Sequence, residues 1–275
     1  MAYRDLKEFV SLLRERGELK EISLEVDPYL EIAEITDRVV KRGGPALLFT
    51  NVRGHRWPVL INAFGTERRM AMALGAESLD AIAADIAELL EPKIPASLLG
   101  KLQMLPKLKV FADMAPRSAG SAPCQEVVIT ENPSLDLLPI IQCWPMDGGP
   151  YITLPLVFTR HPELGTRNVG MYRLQKFDAH TLGMHWQRHK GGAQHYRVAE
   201  RLGRRLEVAI ALGPDPAVTY SASAPLPDEV DELMLAGFLR RRPVEVVKCR
   251  TVDLEVPALD EIAPGGGLYH AVFIR

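Results

Sequence analysis

Thr166-Arg167-Asn168-Val169-Gly170-Met171-Tyr172-Arg173, His185-Trp186-Gln187-Arg188-His189-Lys190-Gly191-Gly192 and Pro227-Asp228-Glu229-Val230-Asp231-Glu232 are the stretches on which the reading of this chain turns. Each supplies one hard or borderline ligand: the amide oxygen of Asn168, the imidazole of His189 and the carboxylate of Glu232. Such a mixed oxygen and nitrogen set suits Mn²⁺ or Mg²⁺ better than a closed thiolate zinc site. Around it stand Arg173, Arg188 and Lys190 with Gly191 and Gly192. Cations beside glycines give charge together with close backbone approach, which is what a phosphate needs.

Taken singly, these residues allow plainer readings. Asn168 also suits a turn, and Glu232 suits the start of a helix, where the macrodipole favours negative charge. His185 and His189 stand four apart and would share one face of a helix, so a zinc pair is a further option. Against it, Trp186 occupies the position at which the HExxH signature carries glutamate.

Composition sets the bounds. The chain has 275 residues, 47% hydrophobic and 25% charged, the balance of a globular protein with room for one large or two ordinary domains. A net charge of −2 and a pI near 6.4 argue against a dedicated nucleic-acid binder, despite basic clusters at Arg201, Arg204 and Arg205 and at Arg240 to Arg242. Cys124, Cys143 and Cys249 are far apart and form no CxxC, so neither a disulfide framework nor a cysteine zinc site is expected. The start of the chain has no basic stretch followed by an apolar run, and no segment approaches membrane-spanning length, so a cytoplasmic protein is expected.

Along the chain, Leu6, Phe9, Val10 and Leu13 predict a docking helix ended by Gly17. Asp27-Pro28 predicts a cap and first turn for a second helix, with Ile32, Ile35 and Val39 inward and Gly43-Gly44 at its end. Ala46 to Phe49 and Val59 to Asn62 read as strands, and Arg68 to Leu74 and Ser78 to Leu90 as helices with Ile82, Ile86 and Leu89 inward. This alternation is that of an α/β layer. Prolines at 92, 95, 106, 116 and 123 then interrupt any regular element, which places the domain junction near Pro123.

After the junction, Gln125 to Thr130, Ile152 to Phe158, Arg167 to Gln175, Glu207 to Leu212 and Glu245 to Arg250 read as strands, an order that suggests a barrel or sandwich. Trp144 to Pro150 reads as a tight loop, Gly192 to Leu202 as a helix with Arg197 and Arg201 on a solvated face, and Gly213 to Pro216 as a turn. His195 receives no catalytic role. Ser221-Ala222-Ser223-Ala224 allows close backbone approach. From Pro227 the pattern is helical, with Val230, Leu233, Met234 and Gly237 on one side.

Taken together, NVGMYRLQ, HWQRHKGG, ALGPDPA, PLPDEVDEL, and EVVKC followed by DLEVPA resemble the UbiD family, decarboxylases that use prenylated flavin mononucleotide. WPMDGGPYITLPLVFTR, DLKEFVSLLRERGELK and GGPALLFTNVRG extend the resemblance from Asp5 to Glu261. HWQRHKGGAQHYR looks most like the menaquinone-biosynthesis branch. The resemblance implies an α+β protein: an N-terminal α/β domain over 1–122, then a prenylated-FMN-binding split β-barrel domain over 123–275. It implies that Asn168, His189 and Glu232 hold a divalent metal bridging to the flavin phosphate, and that Met171, Tyr172, Arg173, His185, Trp186, Gln187, Lys190 and Gly191 contact the flavin. Arg173 matches the arginine that joins the catalytic carboxylates and pairs with a substrate carboxylate. The loop at 144–150 falls at the entrance to the flavin region, and a K⁺ ion binds backbone oxygens near Ser221.

The implied partners are a small aromatic acid, a flavin prenyltransferase that supplies the cofactor, and further copies of the chain. A lipophilic quinone precursor would bring the protein to the membrane surface, and no nucleic acid is involved. The departure from the family pattern comes after DLEVPA. Family members continue into a glycine-rich stretch with two carboxylates, one the proton donor, and then into a C-terminal α/β domain, whereas here the sequence runs from Asp260 to Arg275 without either. The expectation is a decarboxylase that lacks that domain. The alternatives are a flavin- or metal-binding subunit without the acid/base carboxylates, and an unrelated metal-dependent hydrolase built on His185 and His189.

Overall fold

The computed structural model describes residues 3–90, 114–120, 122–227 and 230–258. The proline-rich segment and the sequence after Ala258 therefore fall largely outside the described residues, as do Asp228 and Glu229.

Helix α1 (Leu6–Glu15) forms where its apolar spacing places it. The Asp5 side chain accepts a hydrogen bond from the Glu8 amide at 2.7 Å and caps its first turn, and Gly17 takes φ +69° just beyond its end. Phe9 and Leu13 are fully buried against strands β1 (Leu19–Ile22), β2 (Ala46–Phe49) and β3 (Val59–Ile61). β1 runs parallel to β2, and β3 antiparallel to it, giving the order β1-β2-β3.

Helix α2 (Glu31–Lys41) begins later than Asp27-Pro28 suggests. Leu30 stands at its N-cap with φ +63° and no side-chain cap, while the Glu31 carboxylate accepts from the Asp27 amide at 2.7 Å. Asp27 instead accepts from the Tyr29 amide, so its side chain closes a turn before the helix. Ile32 is buried, and Ile35 and Val39 pack partly against the same cluster. Helices α3 (Glu67–Ala73) and α4 (Leu79–Leu90) follow, with Ile82 buried and Ile86 half-buried; the Leu89 side chain is outside the description.

Among the described residues, the second half carries three small three-stranded sheets. One has the order β10-β6-β7, from Ala209–Ala211, Leu156–Arg160 and Arg167–Met171. Another joins β12 (Glu255–Pro257), β11 (Glu245–Lys248) and β4 (Arg117–Ser118), and the third joins β5 (Tyr151–Ile152), β8 (Leu174–Lys176) and β9 (Leu182–Met184). Helices α5 (Gly191–Arg201), α6 (Pro216–Ser221) and α7 (Glu232–Arg240) complete the order.

Two expected long strands are broken, each for a physical reason. Pro155 has no amide to give a ladder, and the run from Ile152 to Phe158 divides there into β5 and β6. The run from Arg167 to Gln175 divides at Tyr172-Arg173, where the chain leaves the sheet of β6 and enters that of β5. Gln125 to Thr130 is not a strand. Its start is a 3-10 turn, and Val127, Val128 and Ile129 remain exposed, because β-propensity without a pairing partner fixes nothing. Helix α6 starts at the end of the turn read over Gly213 to Pro216 and is capped by Asp215, whose buried carboxylate accepts from the Ala217 amide at 2.8 Å and faces Arg240 at 3.4 Å.

The two halves meet closely. The Leu30 amide donates to the Gln142 carbonyl and the Gln142 amide to the Pro28 carbonyl, each at 3.1 Å, and Arg242 donates to the Tyr3 carbonyl at 2.7 Å. A cavity of about 220 Å³ lies at this junction, walled by Val59, Leu60, Ile141, Tyr151, Ile152 and Leu212. Where α7 approaches the preceding chain, a Cβ on Gly237 would lie 2.3 Å from the Met114 carbonyl oxygen. Because that neighbour is backbone, Gly237→Ala is expected to cost about 2–3 kcal/mol in urea unfolding despite the better helix propensity of alanine. An unchanged midpoint would show that the two segments do not pack this closely.

Candidate cofactor and metal site

The site is built where α5 begins against β7. Asn168 lies in β7 opposite Thr159 of β6. A Cβ on Gly191, the first residue of α5, would stand 2.0 Å from the Asn168 side-chain oxygen, so only glycine lets the helix start this close to the amide. The next glycine is as constrained: a Cβ on Gly192 would meet the Trp186 ring nitrogen at 2.7 Å and the Tyr172 ring at 3.0 Å. The Tyr172 hydroxyl accepts from the Gly192 amide at 3.2 Å and from the Asn168 side-chain nitrogen at 3.4 Å. One tyrosine thus ties the strand to the helix start.

This helix start is equipped for an anion. Lys190 at the N-cap makes no side-chain cap hydrogen bond, and the first turn carries no acidic residue, so the first-turn amide dipoles are not countered from within. The buried Trp186 indole nitrogen has no hydrogen-bond partner in the structure. An oxygen-rich ligand at this place would satisfy the indole donor that the protein leaves open.

Glu232 opens α7, and Asp231 caps that helix by accepting from the Leu233 amide at 2.8 Å. The Glu232 carboxylate reaches across to β7 and accepts from the Val169 amide at 3.0 Å, which brings it beside Asn168. Burial pushes its carboxyl up from 4.5 to about 7, against the pull of the Val169 hydrogen bond. A carboxylate held this way gains most from a cation. Arg167 does not neutralise Glu232 fully, since its guanidinium is shared by Asp231 at 2.9 Å and Glu255 at 2.6 Å.

His185 to Lys190 form a loop between β9 and α5, closed by the Lys190 amide donating to the Gln187 carbonyl at 3.0 Å. His185 and His189 therefore do not share a helix face, which removes the geometry behind the zinc-pair option. Among the described residues, no three His, Cys, Asp or Glu side chains form a metal-binding group. A metal set here needs the Asn168 amide. His189 sits in the turn two residues before Gly191, exposed, as are His185, Gln187 and Lys190.

Met171 and Arg173 flank Tyr172 at the crossover between sheets. The Met171 amide donates to the Ala222 carbonyl at 3.1 Å, the close approach that the small-residue segment permits. The Arg173 guanidinium lies 4.8 Å from the centre of the Tyr151 ring, and its carbonyl accepts from the His185 amide at 3.1 Å. Tyr151, missed by the sequence reading, thus lies under the catalytic candidate and lines the apolar cavity. Its aromatic character was visible, but its contact required the pairing of β5 with β8.

Thr159 Oγ1 lies 2.9 Å from His195 Nδ1 with both residues buried, and the His161 and His195 rings meet edge to face at 5.2 Å. Burial, with a smaller contribution from His161, lowers the His195 imidazole from 6.5 to about 4, so it is neutral at physiological pH. No disulfide joins Cys124, Cys143 and Cys249, and the Cys124 thiol donates to the Pro257 carbonyl at 3.6 Å.

The chain is similar to known proteins over most of its length. Residues 116–270 match the 3-octaprenyl-4-hydroxybenzoate carboxy-lyase Rift-related domain of UbiD, and residues 10–90 match the N-terminal domain of the same carboxy-lyases. The chain belongs to the UbiD family. An uncharacterized protein of Archaeoglobus fulgidus is 50% identical over 95% of this chain and 54% of its own length, and one of Aquifex aeolicus is 51% identical over 96% and 55%. Among solved structures, the UbiD-class enzyme HmfF from Pelotomaculum thermopropionicum in complex with FMN is 34% identical with a TM-score of 0.78, over 92% of this chain and 52% of that one. The vanillic acid decarboxylase of Sedimentibacter hydroxybenzoicus is 29% identical with a TM-score of 0.79, over 94% and 53%. The chain thus spans about half the length of the relatives it matches. Its fold is the mixed α+β arrangement of the UbiD N-terminal and flavin-binding domains.

Proposed function

We propose that this chain is the cofactor-binding half of a non-oxidative decarboxylase that acts on an aromatic or α,β-unsaturated carboxylic acid with prenylated FMN and a divalent cation, Mn²⁺ in the first instance. The observation that carries the reading is the start of α5: Gly191 lies against the Asn168 amide oxygen, and Glu232 lies alongside on Val169. Asn168, His189 and Glu232 would hold the metal, and the first-turn amides with Lys190 would hold the flavin phosphate it neutralises. Met171 to Arg173 and His185 to Gln187 would line the ring system. A K⁺ ion on backbone oxygens near Ser221 fits the same plan.

When bound, the modified flavin supplies the electron sink that carbon–carbon cleavage requires and side chains lack. The protein's part is binding and orientation. Arg173 offers a planar two-pronged donor to the substrate carboxylate, and the stack on Tyr151 limits where that fork points. The apolar cavity behind Tyr151 suits the hydrocarbon body of a conjugated acid. We further propose the two-domain division at 122/123, homo-oligomerisation, a cytoplasmic enzyme of menaquinone or ubiquinone formation, cofactor supply by a flavin prenyltransferase, and peripheral membrane contact through a lipophilic quinone precursor. Among the described residues, no helix is long and apolar enough to cross a membrane.

The second reading is a flavin- and metal-binding subunit completed by a partner that carries the acid/base carboxylates. Native mass spectrometry separates the possibilities when the chain is co-expressed with a prenyl-flavin-synthesising enzyme in Mn²⁺-containing medium. Flavin and one manganese per chain are expected. If such loaded protein turns over no aromatic acid, the subunit reading stands; an empty chain rejects both.

A further inference from the structure

We infer that His195 is a positioning residue for this site: its hydrogen bond to Thr159 fixes the register of α5 on the β6–β7 ribbon, and with it the place of Gly191 relative to Asn168. The inference rests on the reading of that place as a flavin-phosphate and metal site.

The argument starts from strand register. Thr159 and Asn168 are direct partners across the antiparallel β6–β7 pair, so their side chains stand on one face of the ribbon. Helix α5 covers that face at two points one turn apart. Gly191 sits against the Asn168 side chain, and His195, four residues later, sits against the Thr159 side chain. The first contact contains no attraction that would hold it, since it depends on the absence of a side chain. A glycine surface slides unless something else sets its position.

The Thr159–His195 pair can set it. Both residues are buried, Thr159 completely, and a misplaced helix would strand two polar groups away from water. The pair therefore penalises any slippage of the first turn. His161 packs edge-on against the His195 ring, while its own Nδ1 accepts from the Glu163 and Leu164 amides at 3.2 and 3.1 Å. The turn after β6 thus braces the imidazole from the side. The Gly192 amide on the Tyr172 hydroxyl is a third point of attachment, at the site itself.

The test uses the full chain and three variants: Thr159→Val, which removes a hydroxyl at nearly constant shape, His195→Phe, and His195→Asn, whose amide lies near the place of Nδ1. FMN is titrated in the presence of Mn²⁺ and followed by flavin fluorescence, and amide hydrogen exchange is read at Gly192 and Ala193 without ligand. Thr159→Val and His195→Phe should each weaken FMN binding about 10-fold, the loss typical of an outer-shell partner, and speed exchange at the first turn of α5. Combined, they should weaken it little more than either alone. His195→Asn should bind within about twofold of the parent. A folded Thr159→Val with parental affinity and exchange overturns the inference, and so does a His195→Asn that behaves like His195→Phe. Failure of the site reading looks different, since the parent protein itself would then take up no FMN, and the positioning role would fall with it.

Discussion

Replacing Glu232 with glutamine is expected to stabilise the metal-free protein at pH 8 and to abolish tight Mn²⁺ binding. The wild-type carboxyl is raised from 4.5 to about 7 by burial, so the folded protein holds this proton more tightly than the unfolded chain does. The resulting stability is complete below pH 4.5 and is lost as the pH rises through 7; in full it amounts to at most about 3 kcal/mol. A glutamine can still accept from the Val169 amide but carries no charge, so the variant should gain about 1–3 kcal/mol over wild type at pH 8 and nothing at pH 4. Thermal unfolding in a chelator at both pH values reads this difference. Saturating Mn²⁺ should reverse the order, because a cation repays the buried charge in wild type only, and affinity should fall more than about 100-fold in the variant. Equal stability at pH 8, or equal Mn²⁺ affinity, would remove Glu232 from the ligand set.

Gly191→Ala should have the second large effect, and of a different kind. The added methyl would meet the Asn168 side-chain oxygen at 2.0 Å, a flexible group that can rotate away. The fold should therefore survive with a loss of about 1 kcal/mol or less. The rotation takes the amide oxygen from its place against the start of α5, and the methyl would fill the space through which a phosphate reaches the helix amides. FMN and Mn²⁺ binding should both weaken by about 100-fold, read by fluorescence and calorimetry on protein whose unfolding is unchanged. A variant that unfolds would show instead that the glycine is needed for packing alone.

Much of the architecture was legible because local signals and tertiary packing agree. The spacing of Leu6, Phe9, Val10 and Leu13, the apolar run at Ala46 to Phe49 and the helix after Lys190 all form at or near their expected places. Misreadings arose where a local preference had a competitor. Asp27 had the chemistry of a helix cap, but the Glu31 carboxylate took the Asp27 amide and the helix began beyond it. Val127 to Ile129 had strand propensity and no partner.

The candidate site divides along the same line. Residue types alone gave an amide, an imidazole, a carboxylate and a pair of glycines, since metal and phosphate chemistry restricts which side chains serve. The sequence by itself therefore determined the family and most helices, both of which depend on short-range pattern. Only the tertiary structure decided that the HWQRH segment is a loop, that Arg173 lies on Tyr151, and that Thr159 and His195 meet behind Asn168. The reason is physical: strand register and helix docking are set by contacts between residues far apart in the chain, and no local spacing encodes which strand will lie opposite which.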